Sequence, residues 1–117
     1  MAYDVELAAR IRTLVASEPG ITERRMFGGL AFLVDGNMAV AAGSEGALMV
    51  RIDPGDADRL AVRPGTRPME MRGRPLRGWL LVDATAVGTS RQLRTWVRTG
   101  VRFARTLPAK TGSPGAR

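Results

Sequence analysis

The chain contains no cysteine and no histidine. The first absence excludes disulfides, thiol catalysis and thiolate metal sites. The second removes the usual general base near neutral pH and the commonest metal ligand. Long apolar runs are missing too. Runs such as residues 30–34 and 79–82 fall far short of the roughly 20 residues that span a bilayer, so no membrane association is expected. Tyr3-Asp4-Val5-Glu6 opens an acidic, amphipathic segment where a secretory signal would be basic and then apolar, and a cytoplasmic location is the resulting expectation. Aromatic residues make up 5% of the chain, too few for base stacking on single strands to be an obvious activity.

What is present suits one globular domain. With 117 residues, 44% hydrophobic and 25% charged, the chain can bury roughly two-thirds of its unfolded surface, and its apolar residues alternate with polar ones. The net charge of +7 is unevenly placed. Residues 1–58 hold five Arg against nine Asp and Glu, a charge of −4, and residues 59–117 hold twelve Arg and Lys110 against Glu70 and Asp83, a charge of +11. Such asymmetry argues for attraction to an anionic partner. The plainer explanation is a GC-rich coding bias, which the ratio of seventeen Arg to one Lys also fits.

Along the chain, residues 4–16 have helical spacing, with Asp4 as N-cap and Leu7, Ala8, Ile11, Leu14 and Val15 on one face, stopped by Pro19-Gly20. Residues 21–27 and 30–34 read as one strand bent at Gly28-Gly29, the bend letting the first helix lie on the sheet. A phosphate cradle at these glycines would need a helix N-terminus directly after them, and none follows. Asp35-Gly36 is a hairpin signal, and 37–42 and 47–52 continue a meander. Asp53-Pro54 opens a short helix to about residue 62. Its carboxylates Asp53, Asp56 and Asp58 lack the glycine and closing glutamate of a calcium loop, so they read as helix-capping charge and no metal or other cofactor is expected. Residues 63–78 look like a linker by their Pro and Gly, yet Met69 and Met71 alternate about Glu70, which predicts a fourth strand, a turn near Gly73 and a fifth strand through Val82. The five internal methionines all fall on predicted strands, where filling a core is the first reading and lining a permissive groove the second.

Residues 90–107 carry the clearest periodicity. Leu93, Trp96, Val97, Gly100, Val101, Ala104 and Leu107 share one face, and Arg91, Arg94, Arg98, Arg102 and Arg105 share the opposite one. Residues 1–108 are thus expected to form the domain and 109–117 a disordered tail. Only carboxylates, scattered serines, Tyr3 and Lys110 remain as catalytic candidates, so no catalytic residue is assigned.

Taken in order, Arg25-Met26-Phe27-Gly28-Gly29, Gly36-Asn37-Met38-Ala39, Leu48-Met49-Val50-Arg51 and Arg67-Pro68-Met69-Glu70-Met71-Arg72-Gly73-Arg74-Pro75-Leu76-Arg77-Gly78-Trp79 resemble the N-terminal domain of the TfoX/Sxy proteins. The resemblance runs over residues 3–108. It implies an α+β domain, with an antiparallel sheet of about five strands and helices against it in a two-layer sandwich. The order it implies, α-β-β-β-α-β-β-α, agrees with the patterns above. It further implies a link to natural competence, in which longer members act as transcriptional co-regulators beside a cyclic-AMP receptor protein and carry a second, helical domain. The chain reads as the first domain standing alone, and the family offers no catalytic residues to carry over.

The expected function is therefore a non-enzymatic regulatory domain that works through protein contacts, with a homodimer compatible with that role. The alternative is direct nucleic-acid binding through Arg91, Arg94, Arg98, Arg102 and Arg105, helped by Arg72, Arg74 and Arg77. A carboxylate-based enzyme is the third reading.

Overall fold

The structure is a computed structural model that describes residues 3–26, 28–43 and 46–110, with Met71 described by its backbone. Parts of three expectations lie outside the described residues: the end of the first strand at Phe27, the turn at Ser44-Glu45, and the tail beyond Lys110. Helix α1 (Val5–Leu14) is followed by strands β1 (Ile21–Met26), β2 (Gly29–Val34), β3 (Asn37–Ala42) and β4 (Leu48–Arg51), then by helix α2 (Ala57–Ala61), strands β5 (Thr66–Met71) and β6 (Arg74–Val82), and helix α3 (Ser90–Arg105). All strand pairs are antiparallel, in the order β1-β2-β3-β4-β6-β5.

The sheet has six strands rather than the expected five. Met26 pairs with Gly29, so the chain reverses between them and residues 21–34 form a hairpin, not one bent strand. Gly28 has φ +74°, a left-handed conformation that glycine adopts freely and that a tight reversal requires. Gly29 serves a different need: a Cβ there would sit 2.6 Å from the Ala42 carbonyl oxygen, so only glycine lets β2 and β3 meet at that point. The second hairpin is as expected, with Asp35 at φ 51° and Gly36 at φ 86°, both positive as a two-residue type I′ turn demands. Arg72-Gly73 turns β5 into β6 with the same signs.

Pro68 fits in β5 because β5 is an edge strand, whose outer N–H positions need no sheet partner. This is how the linker-like stretch becomes sheet. The register slips between Pro68 and Met69, from Pro68 opposite Leu80 to Met69 opposite Leu76.

All three helices lie on one face. Leu7, Ala8, Ile11 and Val15 of the first helical segment, Leu60 of α2, and Leu93, Trp96, Val97, Val101 and Ala104 of α3 form one cluster with Leu30, Phe32, Val34, Val40, Leu48, Val50, Leu80 and Val82 of the sheet. Each fully buried aliphatic side chain contributes about 1.5–3 kcal/mol. Gly100 sets how close α3 can come, because a Cβ there would collide with the Ala39 carbonyl oxygen of β3. Each long helix begins with a side-chain cap. Asp4 accepts from the Leu7 N–H at 2.9 Å, and Thr89 and Gln92 form a reciprocal capping box at 3.0 Å in each direction. A second, smaller cluster of Ala31, Leu33, Met38, Ala41 and Met49 occupies the opposite face of the sheet.

Candidate anion-binding surface

The capping box fixes where α3 starts, and the apolar positions Leu93, Trp96, Val97, Val101 and Ala104 fix its rotation by packing on the sheet. Four arginines, Arg91, Arg94, Arg98 and Arg102, are then left facing solvent. They lie at intervals of three or four residues and form a row about 17 Å long at the rise of an α-helix. Among the described residues, no carboxylate lies within 4.0 Å of any of these four.

Arg105, the fifth member of the row, is engaged. Its Nη2 donates to Glu18 Oε1 at 2.6 Å and to the Pro19 carbonyl at 3.0 Å, and its Nη1 stands 4.0 Å from Asp35 Oδ2. It ties the end of α3 to the loop after α1 and to the β2–β3 turn.

Grooves flank the row on both sides. The first, about 450 Å³, runs between the C-terminal end of α1 and α3. Leu14, Val97 and Val101 give it apolar walls, and Arg94, Arg98 and Arg102 its charge. The second, about 380 Å³, lies between α2 and α3 and contains Arg59, Arg63 and Phe103 beside Asp53 and Asp56. Arg102 borders both. The second groove is partly neutralised, since Asp56 pairs with Arg59 at 3.2 Å, so the first carries the stronger uncompensated positive field.

The structure places Arg72, Arg74 and Arg77 elsewhere. Arg72 is in the β5–β6 turn, Arg74 begins β6, and Arg77 donates from Nη2 to the Pro54 carbonyl at 3.2 Å. All three are exposed, and none borders either groove beside α3. The basic residues expected to act together thus form an α3 row and a separate hairpin patch.

Sequence reasoning missed several arginines that act on structure. Arg10 donates from Nη2 to the Val87 carbonyl at 2.8 Å, joining α1 to the segment that precedes α3. The Arg63 guanidinium lies 4.8 Å from the centre of the Trp96 ring, within cation–π range. Arg12 and Glu23 form a two-pronged pair, Nε to Oε2 at 2.6 Å and Nη2 to Oε1 at 2.9 Å. The hydrogen bond from Arg12 holds the Glu23 carboxyl below the usual carboxylate range, and Glu23 raises the Arg12 guanidinium in return. These partners are far apart in sequence, and no local pattern signals them. Among the described residues, no group of three or more acidic side chains is placed to hold a metal ion, and no helix is long and apolar enough to cross a membrane.

Comparison with known proteins gives no significant match among curated proteins or solved structures. The family model for the TfoX N-terminal domain matches residues 13–104, which takes in β1 through nearly all of α3, and the chain belongs to that family.

Proposed function

We propose that this chain is a non-catalytic, cytoplasmic regulatory domain of the TfoX N-terminal type that engages an acidic protein partner through the α3 row. The observation that carries the reading is the groove beside α1, where Arg94, Arg98 and Arg102 stand uncompensated around Leu14, Val97 and Val101. An apolar floor with a cationic rim suits a peptide segment that offers carboxylates and an aliphatic side chain together. The resemblance to competence regulators supports a setting in transcriptional control, where such a domain acts through contacts with other proteins, and a homodimer is compatible with this role.

Direct binding of duplex nucleic acid is the second reading, favoured by the straight run of Arg91, Arg94, Arg98 and Arg102 along one helix face. A phosphate backbone needs cations and makes no use of Leu14. Affinity capture from a native extract, followed by identification of bound protein and nucleic acid, tests both readings. Loss of a protein partner in Arg98→Glu and in Leu14→Glu supports the first. Loss of nucleic acid in Arg98→Glu with Leu14→Glu unaffected supports the second. Turnover of a metabolite with no macromolecule retained overturns both.

A further inference from the structure

The sheet's second face offers a different surface, independent of α3. Cross-strand pairs define it. Leu33 lies opposite Met38 and Thr22, Ala31 opposite Ala41 and Arg24, Met49 opposite Leu81, and Arg51 opposite Trp79. Directly paired side chains in an antiparallel sheet project to the same side, so Arg24 and Arg51 flank this face. Its centre, Ala31, Leu33, Met38, Ala41 and Met49, is buried, and half-buried Met26, Met69, Trp79 and Leu81 surround it. Among the described residues no helix covers it, because all three lie on the other face.

Charge and hydrogen bonding narrow what can sit there. Arg51, half-buried at the end of β4, has its guanidinium between two rings, 5.6 Å from the centre of Trp79 and 5.9 Å from that of Phe103 on α3, and Arg24 is exposed on the edge strand β1. Asp83 is already taken by Arg67 at 2.6 Å, and Glu23 by Arg12 on the helix side. The surface is therefore apolar with a cationic border. Strands β2, β3, β4 and β6 are each paired on both sides, so a visitor cannot join them as a strand and must pack side chains instead. Residues 111–117, Thr-Gly-Ser-Pro-Gly-Ala-Arg, offer no apolar side chain larger than Ala and add a cation, so this segment is chemically unsuited. A second copy would set Arg24 and Arg51 against the same two cations.

We propose that this face docks an acidic amphipathic helix of a partner protein. Its apolar stripe packs on Met26, Met69, Trp79 and Leu81, and its carboxylates meet Arg24 and Arg51. Methionine suits such a role because its unbranched, polarisable side chain adapts to different apolar partners.

Trp79 reports on the site, since the only other tryptophan, Trp96, is buried in the helix-side core. The probe is a synthetic amphipathic peptide of Glu, Leu and Ala, about five helical turns long, with a counterpart in which Lys replaces Glu. Binding is followed by tryptophan emission and by backbone amide shifts in the intact chain. The expected result is a blue-shifted emission and shifts in β1, β4, β5 and β6 with the Glu peptide, whether or not the α3 groove shifts as well, and neither with the Lys peptide. Leu81→Glu should weaken binding about tenfold or more, and Arg24→Glu, an exposed edge position that leaves the fold intact, about threefold. Arg98→Glu should leave the Trp79 emission change and the shifts in β1, β4, β5 and β6 unchanged, which separates this site from the α3 row. Equal binding of the Lys peptide, amide shifts at α3 instead, the same emission change with duplex DNA, or a dimer in sedimentation that Arg24→Glu strengthens would each overturn the proposal.

Discussion

Asn37 donates its side-chain amide to the carbonyl of Pro108 at 2.9 Å, linking the first residue of β3 to the segment after α3. Among the described residues Asn37 is the only buried polar side chain, 2% exposed. The adjacent Lys110 N–H donates to the Asp35 carbonyl at 2.6 Å, and a Cβ on Gly36 would collide with the Lys110 carbonyl oxygen. The segment 108–110 therefore straps the β2–β3 turn.

Removing one end of that strap should cost what a buried unsatisfied group costs. Asn37→Ala is expected to destabilise by about 1–3 kcal/mol, and truncation after Leu107 by a similar amount. Because both changes break the same bond, the double variant should lose much less than the sum. A double-mutant cycle by urea denaturation checks it, and full additivity would show that the Asn37–Pro108 bond contributes nothing.

Gly100 supplies the second test. The helix-period pattern alone reads it as one more small residue on the apolar face of α3. Its position against the Ala39 carbonyl oxygen makes any side chain a steric fault, so Gly100→Ala, which would favour an isolated helix by about 1 kcal/mol, should instead destabilise this protein by about 1–3 kcal/mol. Thermal unfolding distinguishes the two signs.

The contrast between these residues explains what was legible from sequence. Helical period placed α3 and both its faces, and Asp35-Gly36 placed a hairpin, because both signals are local. The Phe27-Gly28-Gly29 stretch misled. A glycine pair is equally compatible with a bend and a reversal, and only the pairing of Met26 with Gly29 decides between them. That single choice changed the strand count and placed β1 at the sheet's edge, with Glu23 toward α1 and Arg24 toward the opposite face. In the same way, the Arg row was readable as a stripe, but Arg105's engagement with Glu18 was not, since 87 residues separate them. The apolar second face was hidden because the methionines on its strands look the same whether a helix covers them or not.

The Arg12–Glu23 pair links α1 to β1 and gives stability an acid limb. The Glu23 carboxyl is held below its ordinary range in the folded chain, so the pair's contribution is complete above that range and is lost as pH falls through the depressed value. Arg12 stays charged throughout, its raised value lying above any accessible pH. Both side chains are well exposed, which keeps the effect small. Glu23→Gln should lower stability slightly at neutral pH and make no difference at low pH, where the native Glu23 is itself protonated. Denaturation midpoints of the two proteins across the acid range should converge, and a constant gap would reject this account.

Arg98 and Arg105 sit two helical turns apart on the same row and should behave as opposites. Arg105→Ala breaks the 2.6 Å contact to Glu18 and the bond to Pro19, so it should cost about 1 kcal/mol of stability. Arg98 has no carboxylate within 4.0 Å among the described residues, so Arg98→Ala should leave stability unchanged or raise it slightly by relieving repulsion from Arg94 and Arg102. For any anionic partner of α3 the order reverses. Arg98→Ala should weaken binding severalfold and flatten its salt dependence, while Arg105→Ala, already neutralised by Glu18, should do much less. Measuring unfolding and partner affinity for both variants at two salt concentrations would expose a purely structural row: in that case the two residues would track each other in stability and neither would affect binding.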